Sequence, residues 1–300
     1  MIRLTQLVVM LSIICLLLGA SSFGQADSTG WKKTFDLNFN VTQNSYSDNW
    51  TGGEAGNVTW ISAANGVFEK QVSPKLNSKT TVKLAFGQTH TQEQETKKWA
   101  KPVKSTDNID VESVQRLTMN WIVDPYFAGR FESQFMDASE PTFKRFINPM
   151  LLTFSGGIAK KLWHRPEKDE LISRLGLAVR EHISRDIDSL AIRTTKTNTR
   201  TDGGLESVSD FNIIIDKDVA FTSKLSLFKA LFNSKKDDLK GLPEADFWKA
   251  IDVNFENTVT ASVSKYIQVQ LYTQLLYDKE VDLGGRFKET LSLGLTYKLL

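Results

Sequence analysis

The chain has 300 residues, 41% hydrophobic and 24% charged, with 37 Lys and Arg against 35 Asp and Glu for a net charge of +2. That near balance leaves no basic excess to grip a phosphate backbone, so no nucleic-acid partner is expected. A mean hydropathy of −0.26, with no second long apolar run, excludes a bundle of membrane-spanning helices.

The first residues set the compartment. Arg3 precedes an apolar run from Leu7 to Ala20, and the small residues Ser21, Ser22, Gly24 and Ala26 follow. A positive start, an apolar core and a small-residue cleavage zone predict a signal peptide over residues 1–26, cut after Ala26, and a mature domain over 27–300. The run is short for a membrane anchor. Cys15, the only cysteine, lies inside this leader, and Ile14 before it is not the small residue a lipoprotein site needs. The mature chain then has no thiol for a disulfide, for thiolate catalysis or for a metal.

From residue 32 onward the dominant period is two. Phe35, Leu37, Phe39 and Val41 alternate with Asp36, Asn38 and Asn40; Val82, Leu84 and Phe86 alternate with Lys83 and Ala85. Phe127, Phe131 and Phe135 oppose Arg130, Glu132 and Gln134, and Leu175, Leu177 and Val179 oppose Arg174, Gly176, Ala178 and Arg180. Val253 and Phe255 oppose Asp252, Asn254 and Glu256; Val269 and Leu271 oppose Gln268 and Gln270; Leu291, Leu293 and Leu295 oppose Ser292, Gly294 and Thr296. Successive strand side chains point to opposite faces, so each segment carries one apolar and one polar face. Twelve such segments are predicted: 32–46, 57–72, 78–92, 107–122, 125–138, 150–164, 169–185, 203–216, 218–232, 247–262, 265–278 and 286–300. Most exceed the usual soluble strand and are long enough to cross a bilayer at a tilt.

The links alternate long and short. Among the short ones are Ser73-Pro74-Lys75, Val123-Asp124, His164 to Glu167, Lys217 and Val263-Ser264; the long ones include 91–104, 138–148, 185–202 and 233–246. Short turns on one side and long loops on the other mark a bacterial outer-membrane barrel, and an even strand count returns both termini to the periplasmic side. Trp60, Trp99, Trp121, Trp163, Trp248 and Tyr266 fall near segment ends, where amphipathic rings favour the headgroup level. The expected fold is therefore all-β: a transmembrane antiparallel barrel of about twelve strands with short periplasmic turns and longer outer loops, in a Gram-negative outer membrane.

Four short stretches resemble an uncharacterised family of bacterial outer-membrane β-barrels of unknown function. These are Asn49, Trp50, Gly52 and Gly53 as an Asn-Trp-Gly-Gly stretch with one spacer fewer, then Thr106-Asp107-Asn108-Ile109, Phe131-Glu132-Ser133-Gln134-Phe135 and Asn148-Pro149. The resemblance implies an architecture and a location, and no catalytic residues.

The alternation assigns Arg116, Arg130, Glu132, Arg174, Arg180, Glu206, Asp210, Asp252 and Glu256 to the lumen. Basic residues concentrate in the middle strands and acidic ones in segments eight to ten, so two oppositely charged walls are expected to face each other. Either they leave a narrow polar pore or they pair and fill the interior. Passive permeation or uptake of small polar solutes through a narrow charged lumen is the leading expectation. A closed structural or surface-interaction barrel is the alternative, and an outer-membrane hydrolase built on His182, Ser184 and Asp186 a remote one; an enzyme is not expected. No His, Cys and carboxylate set has metal-ligand spacing, no cofactor is expected, and the expected partners are outer-membrane lipid, the barrel assembly machinery and a small polar solute.

Overall fold

A computed structural model describes residues 30–46, 55–119, 121–165 and 169–299. The signal peptide with Cys15, and the Asn49-Trp50-Gly52-Gly53 stretch, lie outside the described residues. Twelve strands form one closed antiparallel barrel: β1 Trp31–Asn44, β2 Asn57–Ser73, β3 Leu76–Thr91, β4 Val103–Leu117, β5 Asp124–Ser133, β6 Met150–Arg165, β7 Asp169–Ser189, β8 Thr194–Asp216, β9 Val219–Asn233, β10 Ile251–Ser262, β11 Ile267–Tyr277 and β12 Arg286–Lys298. Each strand pairs with its neighbours in sequence, and β12 returns to β1 from Asp36↔Lys298 to Asn40↔Gly294. Closure removes the two long sheet edges that an open sheet would expose.

The polarity of the sheet is inverted relative to a soluble sandwich. On β7, Leu175 and Leu177 are 54% and 64% exposed, whereas Arg174 between its neighbours is 3% exposed. On β6, Phe154 and Ile158 stand in the open while Thr153, Ser155 and Ala159 are buried. A soluble sheet buries its apolar face against a partner layer; here the apolar face points outward all round and the polar face points into the barrel.

Sequence and structure differ at several ends. The segment expected over 107–122 runs from Val103 to Leu117, and the one expected over 125–138 ends at Ser133. The tenth begins at Ile251, because Phe247–Lys249 before it form a 3-10 turn. The long loop expected over 185–202 is instead a hairpin, in which β7 and β8 continue pairing from Arg180↔Asp202 up to Thr194↔Ser189. Thr194, Thr195, Thr197 and Thr199 favour strands, but on the outward face only Ile183 and Ile187 interrupt polar residues, and the inward face is polar, so the apolar alternation is too sparse to mark it.

Projection of β7 leaves a notch in the wall. β5 stops at Ser133, opposite Ile109 on β4, and β6 starts at Met150, opposite Ile183 on β7. The ends of β4 and β7 beyond those points lack a strand partner on that side. Residues 134–149 fill the gap, with a two-residue ladder of Met136–Asp137 against Arg145–Phe146. On one flank the Asp107 carboxylate accepts the backbone N–H groups of Phe135 at 2.6 Å and Met136 at 2.9 Å. On the other, Asn148 Oδ1 accepts the Arg185 backbone N–H at 2.7 Å, and Arg145 Nη1 donates to the Arg185 carbonyl at 2.7 Å. Asn148 Nδ2 also donates to Asp137 at 2.7 Å, and Gln134 Nε2 to the Asn148 carbonyl at 2.6 Å. Asp107, Gln134-Phe135 and Asn148, drawn from three of the four stretches that carry the family resemblance, therefore meet here and complete the wall. Burial pushes the Asp137 carboxyl up, but hydrogen bonds from Ser139 and Asn148 and the Arg145 charge hold it below the usual carboxylate range.

Candidate functional site

The candidate site is the barrel interior, which falls into two unlike halves. The half lined by β3 to β9, with Asp252 and Glu256 of β10 at its border, is crossed by ion pairs. Glu112 on β4 receives Arg174 from β7 at 2.7 Å and Lys224 from β9 at 2.5 Å. Lys224 and Glu112 are separated by four intervening strands, so this contact spans the lumen. Lys83 on β3 and Glu256 on β10, also four strands apart, pair at 3.0 Å. Arg130 binds Asp110 through two nitrogens, at 2.9 and 3.0 Å, and reaches Glu132 at 3.0 Å. Ions taken out of water need such partners, because an unpaired charge in a low-dielectric interior is costly.

Nearer the long-loop end, Asp202 is fully buried and accepts Arg180 at 2.7 Å and His182 at 3.0 Å. Arg180 reaches on to Asp252 on β10 at 2.8 Å. Arg200 extends the cluster to Glu280 in the link after β11, at 2.6 Å; burial raises the Glu280 carboxyl while Arg200 opposes the shift. The Arg180 guanidinium lies 3.6 Å from the Phe228 ring centroid, and Trp248 from the β9–β10 link packs on Phe228, Ala178 and Ala230. Trp248, read from the sequence as an interface ring, thus caps this half of the lumen.

Small residues on β5, β6 and β7 make room for these large groups. A Cβ on Gly176 would press within 2.8 Å of the Tyr126 hydroxyl, and Tyr126 in turn lies under Arg174 with 5.6 Å between guanidinium and ring centroid. Ala128, Ser155, Ala159 and Ala178 continue the shallow wall. Of the paired glycines, Gly203-Gly204 sits at a register shift between β8 and β9. Gly156-Gly157 does not interrupt pairing, and at Gly157 a Cβ would collide with the Leu175 carbonyl on β7.

The sequence-assigned lumen residues stand as follows. Arg130, Glu132, Arg174, Arg180, Asp210, Asp252 and Glu256 belong to the paired network, Asp210 through Arg174 at 3.4 Å. Arg116 pairs with Asp124 on the adjacent strand at 3.8 Å, near the short-turn end. Glu206 lies by Tyr126 and Arg174. The two-wall expectation is corrected: β4 supplies the acidic Asp110 and Glu112, and β3 and β9 supply the basic Lys83 and Lys224, so each wall carries both signs. Lys83 and Lys224 already alternate with apolar neighbours, the signal that marks them as inward. His182 is held between Asp202 and Arg200, while Asp186 accepts from Asn198. The Ser184, His182 and Asp186 grouping is therefore not assembled.

The other half, from β10 through β11, β12 and β1 to β2, is lined by amides and hydroxyls. Gln274 donates to Asn254 at 3.0 Å, and Asn254 to Glu256 at 3.2 Å. Thr296 contacts Asn38 and reaches Gln268 at 3.3 Å. Asn40 lies back over Gly294, where any Cβ would collide with its amide.

Comparison with known proteins gives three results. A family model described as a protein of unknown function (DUF3078) matches residues 41–138, less than half of the chain. Comparison with curated proteins found no match. Among solved structures, the chain is similar to an outer membrane channel from Pseudomonas putida F1, at 13% identity over 92% of this chain and 97% of that one, TM-score 0.43. It is also similar to the translocator domain of the autotransporter NalP from Neisseria meningitidis, at 8% identity over 98% and 97%, TM-score 0.36, and to the β domain of the Bordetella autotransporter BrkA, at 11% identity over 89% and 97%, TM-score 0.31.

Proposed function

We propose that this chain is a bacterial outer-membrane β-barrel, exported by an N-terminal signal peptide, through which small polar solutes cross passively. The observation that carries the reading is the inverted polarity of the sheet. Exposed Leu175, Leu177, Leu205, Leu291, Leu293 and Leu295 would be an aggregation surface in water and are the natural face toward lipid tails. Exposed Trp121 in a short link and Trp99 in a long one sit where headgroups would lie on the two sides. With short turns toward the periplasm, the β7–β8 hairpin projects outward. Outer-membrane lipid is the partner of the outer face, and such a barrel relies on the barrel assembly machinery for insertion.

A closed structural barrel is the second reading, favoured by the Glu112 bridge to Arg174 and Lys224 across the lumen. Reconstitution in planar bilayers separates the two. Stable conductance steps, or swelling of proteoliposomes in a neutral sugar, support permeation; a folded barrel that gives neither supports the closed reading. A chain that stays soluble without detergent sinks both.

A further inference from the structure

The Lys83–Glu256 pair spans the lumen from β3 to β10. On one side of it are the ion pairs of β4 to β9; on the other are only β11, β12, β1 and β2. The inward side chains of that second side change character. Gln268, Gln270 and Gln274 on β11, and Asn38 and Asn40 on β1, are uncharged and only partly buried although the closed sheet shields them from outside. They are therefore wetted from the lumen. Beside the β1 amides on the same wall, the inward positions of β2 read Ile61, Ala63 and Asn65, register partners of Asn40, Asn38 and Asp36.

Charges on the inward face of these strands gather at the ends. Lys32, Asp36, Glu69 and Lys298 lie toward the short-turn end and Lys288 toward the long-loop end. The exceptions on β10, Asp252 and Glu256, are matched by Arg180 and Lys83. Between the ends, among the described residues, an ion shedding water would find only charges already matched by a partner, and its desolvation would go largely unrepaid. A neutral solute with several hydroxyls meets the opposite situation. Amides and hydroxyls donate and accept at once, and the Ile61 and Ala63 strip suits the C–H face of a sugar ring.

We propose that the passage runs along the inward face of β10, β11, β12, β1 and β2 and passes small uncharged, hydroxyl-rich solutes in preference to ions of equal size. This rests on the permeation reading above and assigns it a path and a substrate class.

The test is osmotic swelling of proteoliposomes carrying the full mature chain. Arabinose should enter at least tenfold faster than into protein-free vesicles. Glucosamine and gluconate, close in size but charged, should enter at least fivefold more slowly than arabinose. Ser292→Trp, inward on β12, should bring the arabinose rate down to the protein-free level, whereas Leu293→Phe, facing the other way, should leave it unchanged. Gln270→Glu, a smaller perturbation, should raise the glucosamine-to-gluconate rate ratio at least threefold. Equal rates for arabinose and the two ions overturn the substrate class. Arabinose entry untouched by Ser292→Trp and a rate ratio untouched by Gln270→Glu overturn the path. No swelling in any solute, from a barrel shown folded by its heat-modifiable gel mobility, overturns the permeation reading itself.

Discussion

The two halves of the barrel interior are polar by different means. In the half from β3 to β9, full charges reach past their neighbours to strands elsewhere in the ring, as Glu112 does to Arg174 and Lys224. In the half from β10 to β2, amides and hydroxyls bond to the adjacent strand, as Gln274 does to Asn254 and Thr296 to Asn38. The difference teaches how a small barrel divides its space. A charge in a dry interior must be matched, and a match across the lumen fills it. An amide is satisfied within its own wall and leaves the centre to water.

The largest expected effect is on the charged side. Glu112→Ala takes the carboxylate from Lys224 and leaves Arg174 with only its longer contact to Asp210, and should cost about 3–5 kcal/mol in urea unfolding from phospholipid vesicles. Gln270→Ala on the amide side should change the same transition by less than about 1 kcal/mol. Similar costs for the two would erase the distinction between the halves. Next comes the comparison of inside with outside. Leu293→Lys places a charge on the exposed apolar face and should cost about 2–4 kcal/mol near the bilayer centre, while Ser292→Lys, one residue away and inward, should assemble normally. Parity between these two would break the lipid-facing assignment.

Smaller effects belong to the wall-completing loop. Asp107→Ala removes the acceptor of two backbone N–H groups, and should cost about 1–3 kcal/mol; trypsin cleavage after Lys144 or Arg145 should accelerate. The smallest effect is on acidification. The Asp137 carboxyl is depressed in the folded loop, so its contribution is complete above the ordinary aspartate range near about 4 and is lost as pH falls through the lower folded value. Loop proteolysis by pepsin should therefore rise as pH drops from 4 toward 2 in the native protein, and respond less in Asp137→Asn.

Much of the barrel was legible because period two is a local property. Twelve alternating segments, the long and short links, and the inward side of Arg130, Arg174, Arg180 and Glu256 follow from neighbours within a few residues. Partnership across the lumen was not legible. Which strands face one another depends on strand count, tilt and stagger together, so pairing Glu112 with Lys224 needs the closed ring. The β7–β8 projection stayed hidden for the opposite reason. Beyond the apolar zone neither face has cause to be hydrophobic, and a strand polar on both sides reads as a loop. Trp248 was misplaced because an amphipathic ring at a segment end suits an interface as well as a lumen cap.

The notch filled by residues 134–149 bears on the order in which the molecule is built. Its anchors, Asp107 on β4 and Arg185 on β7, lie on opposite sides of the loop in the chain. The loop cannot settle until β7 has added to β6 and carried Arg185 to the rim. Ordering of residues 134–149 thus reports when the two flanks of the notch have both formed: an assembly intermediate lacking either β4 or β7 from the sheet should carry a protease-sensitive loop there, and one with both in place should not.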